Sequence, residues 1–305
     1  MLTRWLRVGV AAGLACASVV ASTARAAVPQ PPTAAGRLKL VTYNVAGLPE
    51  GLSQSRPMAN LPVIGALLNQ YDLAFVQEDF AYPQALRVQI RLPHGSPPFV
   101  RGERMDFGDG LSQFARLPFH GYVREPWTQC NGVVDSYFDC LTPKGFTFAR
   151  QKLADNVFVD VYNVHMDAGP SAADRAARAA QLDQLVRAVK ARSPDNAVIV
   201  GGDFNLGGSE LRRLDWVAQE TGLVDSCRRL RCPEPWRIDR ILFRSSDALK
   251  LAARSWRVDR RFVDTQRRPL SDHLAVAVEL EWSAVGPRLA SDSGGGSQPG
   301  QPSGS

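Results

Sequence analysis

The chain has 305 residues, 45% of them hydrophobic and 22% charged, with a formal charge of +6. That is enough apolar material to bury a core, which excludes a generally disordered protein. The weak positive balance suits an anionic substrate but lacks the concentrated basic stripe that would by itself indicate nucleic acid.

Residues 1–26 read as a secretory signal peptide. Arg4 and Arg7 precede the small and apolar run Val8 to Val20, and Ala24-Arg25-Ala26 offers an A-x-A cleavage site. Cys16 follows Gly13-Leu14-Ala15, only a loose likeness to a lipoprotein cleavage box, and lipidation there is not the preferred reading. Cleavage would remove three arginines and no acid, lowering the charge from +6 to +3 and leaving a secreted or periplasmic protein. Four cysteines would remain in an oxidising compartment, as two local pairs, and disulfides Cys130–Cys140 and Cys227–Cys232 are expected.

A Pro-rich linker over 27–36 leads into Arg37 to Val45 (RLKLVTYNV), whose β-branched and apolar run predicts a strand. Further strands are expected at Leu73 to Val76, Phe146 to Arg150, Val157 to His165, Ala197 to Val200, Ile238 to Phe243 and Leu274 to Leu280. A helix is predicted from Ala172 to Arg192, with Leu182, Leu185, Val186 and Val189 on one face and Ser171 as N-cap. A shorter one is expected from Glu210 to Glu220, followed by Gly222. Many strands interrupted by few helices indicate an α/β sandwich in one domain over residues 37–285. The tail, 286–305, is rich in glycine, serine and proline and is expected to be disordered.

The chemistry sits where apolar runs stop. Asn44 ends the first predicted strand and Glu78 follows DLAFVQ; a carboxylate beside an amide oxygen is a hard-oxygen site suited to Mg²⁺ or Mn²⁺. The period-two face of Val157, Val159 and Val161 continues into Asn163 and His165, as a strand entering a cleft would. AVIVGGDFN puts Asp203 and Asn205 after a buried strand and two glycines, read here as a sharp turn. Asp239 opens another apolar strand, and Asp272-His273 precedes LAVAVEL. An Asp beside a His can supply a ligand and a base, with a second Asp orienting the imidazole.

Taken in order, TYN, QE, NVHMDA, GGDFN, RIDRIL and SDH resemble the motif series of the endonuclease/exonuclease/phosphatase (deoxyribonuclease-I-like) superfamily over about residues 38–282. The resemblance implies a four-layered α/β sandwich, two packed mixed sheets flanked by helices, acting as a divalent-metal phosphodiesterase or phosphomonoesterase. It implies Asn44, Glu78 and Asp272 in the metal environment. Asp203 and Asn205 become water and phosphate ligands, Asp239 the partner of His273, and His165 a second catalytic histidine. In the mechanism expected, His273 takes the proton from water and a protonated His165 supports the phosphoryl or leaving oxygen, although sequence does not distinguish base from acid and the two can share the task.

GDGLSQFARLPF and DCLTPKGFTFAR, with Lys144-Gly145-Phe146, are similar to secreted sphingomyelinases C. Val164, Met166 and Asp167 depart from that group around its histidine. The stretch before Asp272 offers only Trp256 and Phe262 among arginines where an aromatic membrane hairpin would stand. A monomeric phospholipid phosphodiesterase with transient membrane-surface contact is the preferred expectation. A secreted nuclease and a non-catalytic binding protein on the same fold stay open.

Overall fold

A computed structural model describes residues 34–53, 55–99, 108–132 and 139–285. The expected signal peptide, most of the linker and the tail lie outside the described residues. Among the described residues, no helix is long and apolar enough to cross a membrane.

The first sheet contains β1 (Ala34–Asn44), β2 (Leu73–Gln77), β3 (His94–Gly95), β4 (Ser112–Ala115), β11 (Leu249–Val258) and β12 (Val276–Ala284). Its order is β11-β12-β1-β2-β4-β3. The second contains β5 (Phe119–Pro126), β6 (Gly145–Ala154), β7 (Val157–His165), β8 (Val198–Asp203), β9 (Val224–Asp225) and β10 (Asp239–Arg244). Its order is β5-β6-β7-β8-β10-β9. Both are mixed: β1 pairs parallel with β2, β7 parallel with β8, and the remaining pairs are antiparallel.

Period-two alternation decides what each face buries. Leu40, Phe75, Val161, Ile199, Ile241 and Leu280 meet between the sheets. The opposite face of the second sheet, with Tyr162, Val164 and Val200, is covered by α3 (Ala172–Arg192) and α4 (Arg213–Thr221) through Leu182, Leu185, Val189, Leu214 and Val217. Val41, Tyr43, Ala74 and Val76 on the outer face of the first sheet pack on Leu61, Ile64 and Leu68 of α1 (Pro57–Leu68). The short α2 (Pro83–Arg87) and α5 (Ser226–Leu230) complete the helices. This is the expected four-layered sandwich.

α3 begins and ends at the predicted residues. Ser171 caps it with a full capping box: its side chain accepts from Asp174 N at 3.0 Å, while Ser171 N donates to Asp174 Oδ2 at 2.8 Å. Gly222 ends α4 in the left-handed region. The predicted shorter helix divides into a 3₁₀ turn, Gly208–Arg212, followed by α4. β1 opens at Ala34, three residues before the predicted start. Both disulfides form, with Cα–Cα separations of 5.4 Å for Cys130–Cys140 and 4.8 Å for Cys227–Cys232.

The two glycines of GGDFN do not make a turn. Both lie inside β8, with Gly201 opposite Ile241 and Gly202 opposite Arg240. They are there because neighbours come too close: a Cβ on Gly201 would stand 2.4 Å from the Phe75 ring of the facing sheet, and one on Gly202 would stand 2.0 Å from the Val164 carbonyl. The sheets therefore approach closely just beneath Asp203. Gly201→Ala should lower stability by about 1–3 kcal/mol, the usual cost of overpacking. Adding Phe75→Leu should return part of that loss in thermal unfolding; a double variant losing the sum of both single effects would contradict the contact.

Candidate active site

Five strands end at one mouth of the sandwich. In the second sheet His165 lies beside Asp203 and Asp203 beside Asp239, as lateral neighbours on β7, β8 and β10. Asn44 ends β1 in the first sheet and Glu78 follows β2. Just below, Gln77 Nε2 donates to Asn163 Oδ1 at 2.6 Å, and Gln77 also bonds Thr42, so the inward faces turn from apolar to polar at one level.

Asn44 joins the sheets. Its Nδ2 donates to Glu78 Oε1 at 2.8 Å and to Asp203 Oδ2 at 3.2 Å, and its Oδ1 accepts from Ala46 N at 3.1 Å. Glu78 and Asn205 both have left-handed backbone, φ 59° and 50°. For non-glycine residues this costs energy and persists only where the surroundings impose it, which happens most often at functional sites. Asn205 is fixed by its N on Asp203 Oδ1 at 3.0 Å and its Nδ2 on Met166 O at 2.9 Å.

Both imidazoles face Asp203: His165 Nε2 and His273 Nε2 each lie 3.7 Å from its Oδ2, and His165 Nε2 is 3.9 Å from Glu78 Oε1. Asp239 holds His273 Nδ1 at 3.0 and 3.1 Å, which orients Nε2 inward. Asp272 is exposed, with Ser271 Oγ on its Oδ1 at 3.2 Å; the same hydroxyl donates to Asn44 O at 2.7 Å. The loop before it holds Phe262 buried against Tyr43, and Trp256 lies within β11, so neither belongs to a protruding hairpin.

The surroundings set the two histidines apart. Burial opposes a charge on His273, but Asp239, Asp203 and Asp272 outweigh it and hold its pKa well above the usual histidine value. Burial, the Lys144 ammonium and His273 hold His165 well below it, which disfavours the protonated form expected for His165. Burial and then Asp239 push Asp203 up to about 6, against His273, the Asn44 bond and Lys144.

Lys144, which enters the sequence reading only through a likeness, is buried and ion-paired with Asp139; Asp139, Glu78 and Asp203 favour its charge against burial. It stands directly before the apolar strand β6, a strand-end position like those of the acids, and that placement is the signal by which sequence could have found it.

Asp203, Asp239 and His273 offer ligand atoms that all lie within 4.8 Å of one another, and Glu78 adds a carboxylate across Asn44. The carboxylate oxygens of Glu78, Asp203 and Asp239 are a donor set that fits a hard divalent cation, while His273, paired with Asp239 and held toward its charged form, is not a free ligand.

Residues 41–273 match the Endonuclease/Exonuclease/phosphatase family, and the chain belongs to that family. A sphingomyelinase of Mycobacterium tuberculosis (strain ATCC 25618 / H37Rv) is 32% identical over 278 residues, 83% of this chain and 54% of the relative. The chain thus spans about half the length of the curated relatives it matches. Among solved structures, a mutant of Staphylococcus aureus beta toxin with bound magnesium ions is similar at TM-score 0.59 and 18% identity, over 80% of this chain and 99% of that one. D. rerio TDP2 complexed with single strand DNA product is similar at TM-score 0.64 and 18% identity, over 80% and 98%. At these identities the structural likeness defines the fold.

Asn44→Asp would set a third carboxylate against Glu78 and Asp203 in place of the shared donor. Metal-free protein should lose about 1–3 kcal/mol at pH 7.5. The loss should shrink as pH falls through about 6, where Asp203 takes up a proton and the repulsion eases. Equal losses at pH 7.5 and pH 5 in denaturant unfolding would show that charge is not the cause.

Proposed function

We propose that the chain is a secreted, divalent-metal-dependent phosphodiesterase acting on a phospholipid headgroup in the manner of a sphingomyelinase. The observation that carries this reading is the row His165, Asp203, Asp239, with His273 oriented by Asp239 and with Asn44 and Glu78 brought against Asp203 from the facing sheet. The phospholipid preference is supported by the 32% identical mycobacterial sphingomyelinase. Secretion is supported by the signal-peptide pattern of residues 1–26 together with the two disulfides.

Water attacking a phosphodiester needs a proton acceptor, a fixed approach and compensation for charge on the phosphoryl and leaving oxygens. His273 Nε2 is the acceptor. The charges of Asp203 and Asp239 raise its proton affinity, and neutralising Asp203 would bring that affinity back toward the neutral range where an acceptor works. Asp203 and Asn205 hold the water and a phosphate oxygen. His165, kept neutral, donates from Nε2 to the phosphoryl or leaving oxygen, and the buried Lys144 adds a fixed positive field. Glu78 and Asp203 would hold Mg²⁺ or Mn²⁺, with Asp272 at the rim. Asn44, expected in the metal environment, has its Oδ1 taken by Ala46 N and instead sets the two carboxylates through its Nδ2. The ion bound there would supply Lewis-acid compensation of the phosphate charge. A neighbour of the same fold carries magnesium ions, which supports that choice.

The test is an assay of mature protein on sphingomyelin, a lysophospholipid and plasmid DNA, with Mg²⁺ and with EDTA. Release of phosphorylated headgroup from sphingomyelin is expected with Mg²⁺, abolished by EDTA and restored by excess metal. Glu78→Gln, His165→Ala and His273→Ala should each lower turnover by about 10²–10⁴-fold with little change in melting temperature. Nicking of DNA without headgroup release would establish the nuclease reading, which the likeness to a DNA-bound neighbour keeps open. Full activity in EDTA would remove the metal from the account.

A further inference from the structure

The loop after His165 leads into α3, and the loop after Asp203 and Asn205 leads through the 3₁₀ turn into α4. Between these two helices runs a groove of about 580 Å³, lined by Arg175, Ala176, Glu210, Arg212, Arg213 and Trp216, among others. Its charge is unbalanced for a specific reason. Glu210, the acid lining this stretch, is taken by Arg178, which is 1% exposed and holds both carboxylate oxygens at 3.1 and 2.6 Å. Arg178 Nη1 also donates to the carbonyls of Asp167, Ala168 and Gly169, so this pair is part of the packed structure and is not available to a ligand.

Arg175, Arg212 and Arg213 are exposed and have no carboxylate partner among the described residues. Arg175 is tethered by its Nη1 on the Pro170 carbonyl. On the other side of Trp216 a second cavity of about 430 Å³ is lined by two acids and two bases, Asp183, Glu220, Arg187 and Lys190, with Glu220 paired to Lys190 at 2.8 Å, so the positive excess belongs to the first cavity.

We propose that this groove is a binding site for a phosphate-bearing anion, separate from the catalytic mouth. With Glu210 neutralised by Arg178, three guanidinium groups face no free carboxylate in this stretch, and they suit the dianion of a phosphate monoester or a headgroup phosphate, whose oxygens accept paired N–H donors. The half-buried Trp216 and the small side chains of Ala172 and Ala176 leave a flat, uncrowded wall for the apolar remainder of the molecule. The volume is in the range of small-ligand sites. The ligand is either a soluble phosphate ester or the headgroup of an anionic lipid.

The experiment compares mature protein with the triple variant Arg175→Ala, Arg212→Ala, Arg213→Ala, and with the corresponding three lysine substitutions, in EDTA and low salt. Calorimetric titration with glycerol 3-phosphate reads the soluble source, and co-sedimentation with phosphatidylglycerol against phosphatidylcholine vesicles reads the lipid source. Anion binding at the catalytic mouth is common to all three proteins and cancels in the comparison. The alanine variant should bind at least about tenfold more weakly in one arm or both, and the lysine variant should recover only part of that loss, because it keeps the charge but not the paired donors. A difference confined to calorimetry assigns a soluble ester, and one confined to anionic vesicles assigns a headgroup. Equal binding by wild type and alanine variant in both arms overturns the proposal. A third titration, with a single-stranded oligonucleotide under the same conditions, completes the test: a difference among the proteins seen only there also overturns the proposal.

Discussion

The structure depends on one contact between its sheets, the Asn44 amide of β1 reaching Asp203 of β8 at 3.2 Å while also holding Glu78 at 2.8 Å. Asn44 and Asp203 end neighbouring inward faces that are apolar for most of their length, so the core draws the sheets together and brings their polar ends into contact. Gly201 is what permits that approach, because its missing side chain leaves room for Phe75. Once Asp203 is placed, register places the rest: His165 and Asp239 are its lateral neighbours, and His273 is drawn in by Asp239.

Charge at the mouth is dense and partly uncompensated. Asp203 is buried beside Asp239 and rises to about 6, two imidazoles are pushed in opposite directions, and Glu78 and Asn205 are kept in left-handed backbone. The buried Asp203, the neutral buried His165 and the left-handed backbone of Glu78 and Asn205 each weaken the fold locally, whereas the attraction of Asp239 and Asp203 for a charged His273 strengthens it; the three apolar layers around the mouth sustain the whole. Relief of carboxylate repulsion, by a proton or by a cation, is therefore coupled to the chemistry that the family of this chain suggests.

Much of this is legible in sequence because strand periodicity is local. β7 and α3 can be bounded to the residue, since Val159 and Val161 alternate cleanly into Asn163 and His165, and Ser171 supplies a capping box. α1 cannot, because Pro57, Asn60, Pro62 and Gly65 interrupt its pattern and only packing of Leu61, Ile64 and Leu68 on the first sheet reveals it. β11 carries Arg254, Ser255 and Arg257 among its apolar residues and gains its strand character from pairing with β12. The glycines of GGDFN mislead for the same reason: their role is set by Phe75, more than 120 residues away in the chain. Site membership can be read from strand ends, but the opposite settings of His165 and His273 cannot, because they arise from burial and then Lys144 in the one case and from Asp239 overcoming burial in the other, and only the fold supplies these surroundings.

The central claim is that strand ends from both sheets build one hard-cation phosphodiester centre. The chain has four histidines, His94, His120, His165 and His273, which makes histidine side-chain NMR a direct probe. His94 lies opposite Ala115 and His120 opposite Arg150, well along their strands from the mouth. Substoichiometric Mn²⁺ added to metal-free protein should broaden the imidazole signals of His165 and His273 and leave His94 and His120 sharp. Broadening centred on His94 or His120, or none at His165 and His273, would contradict the account.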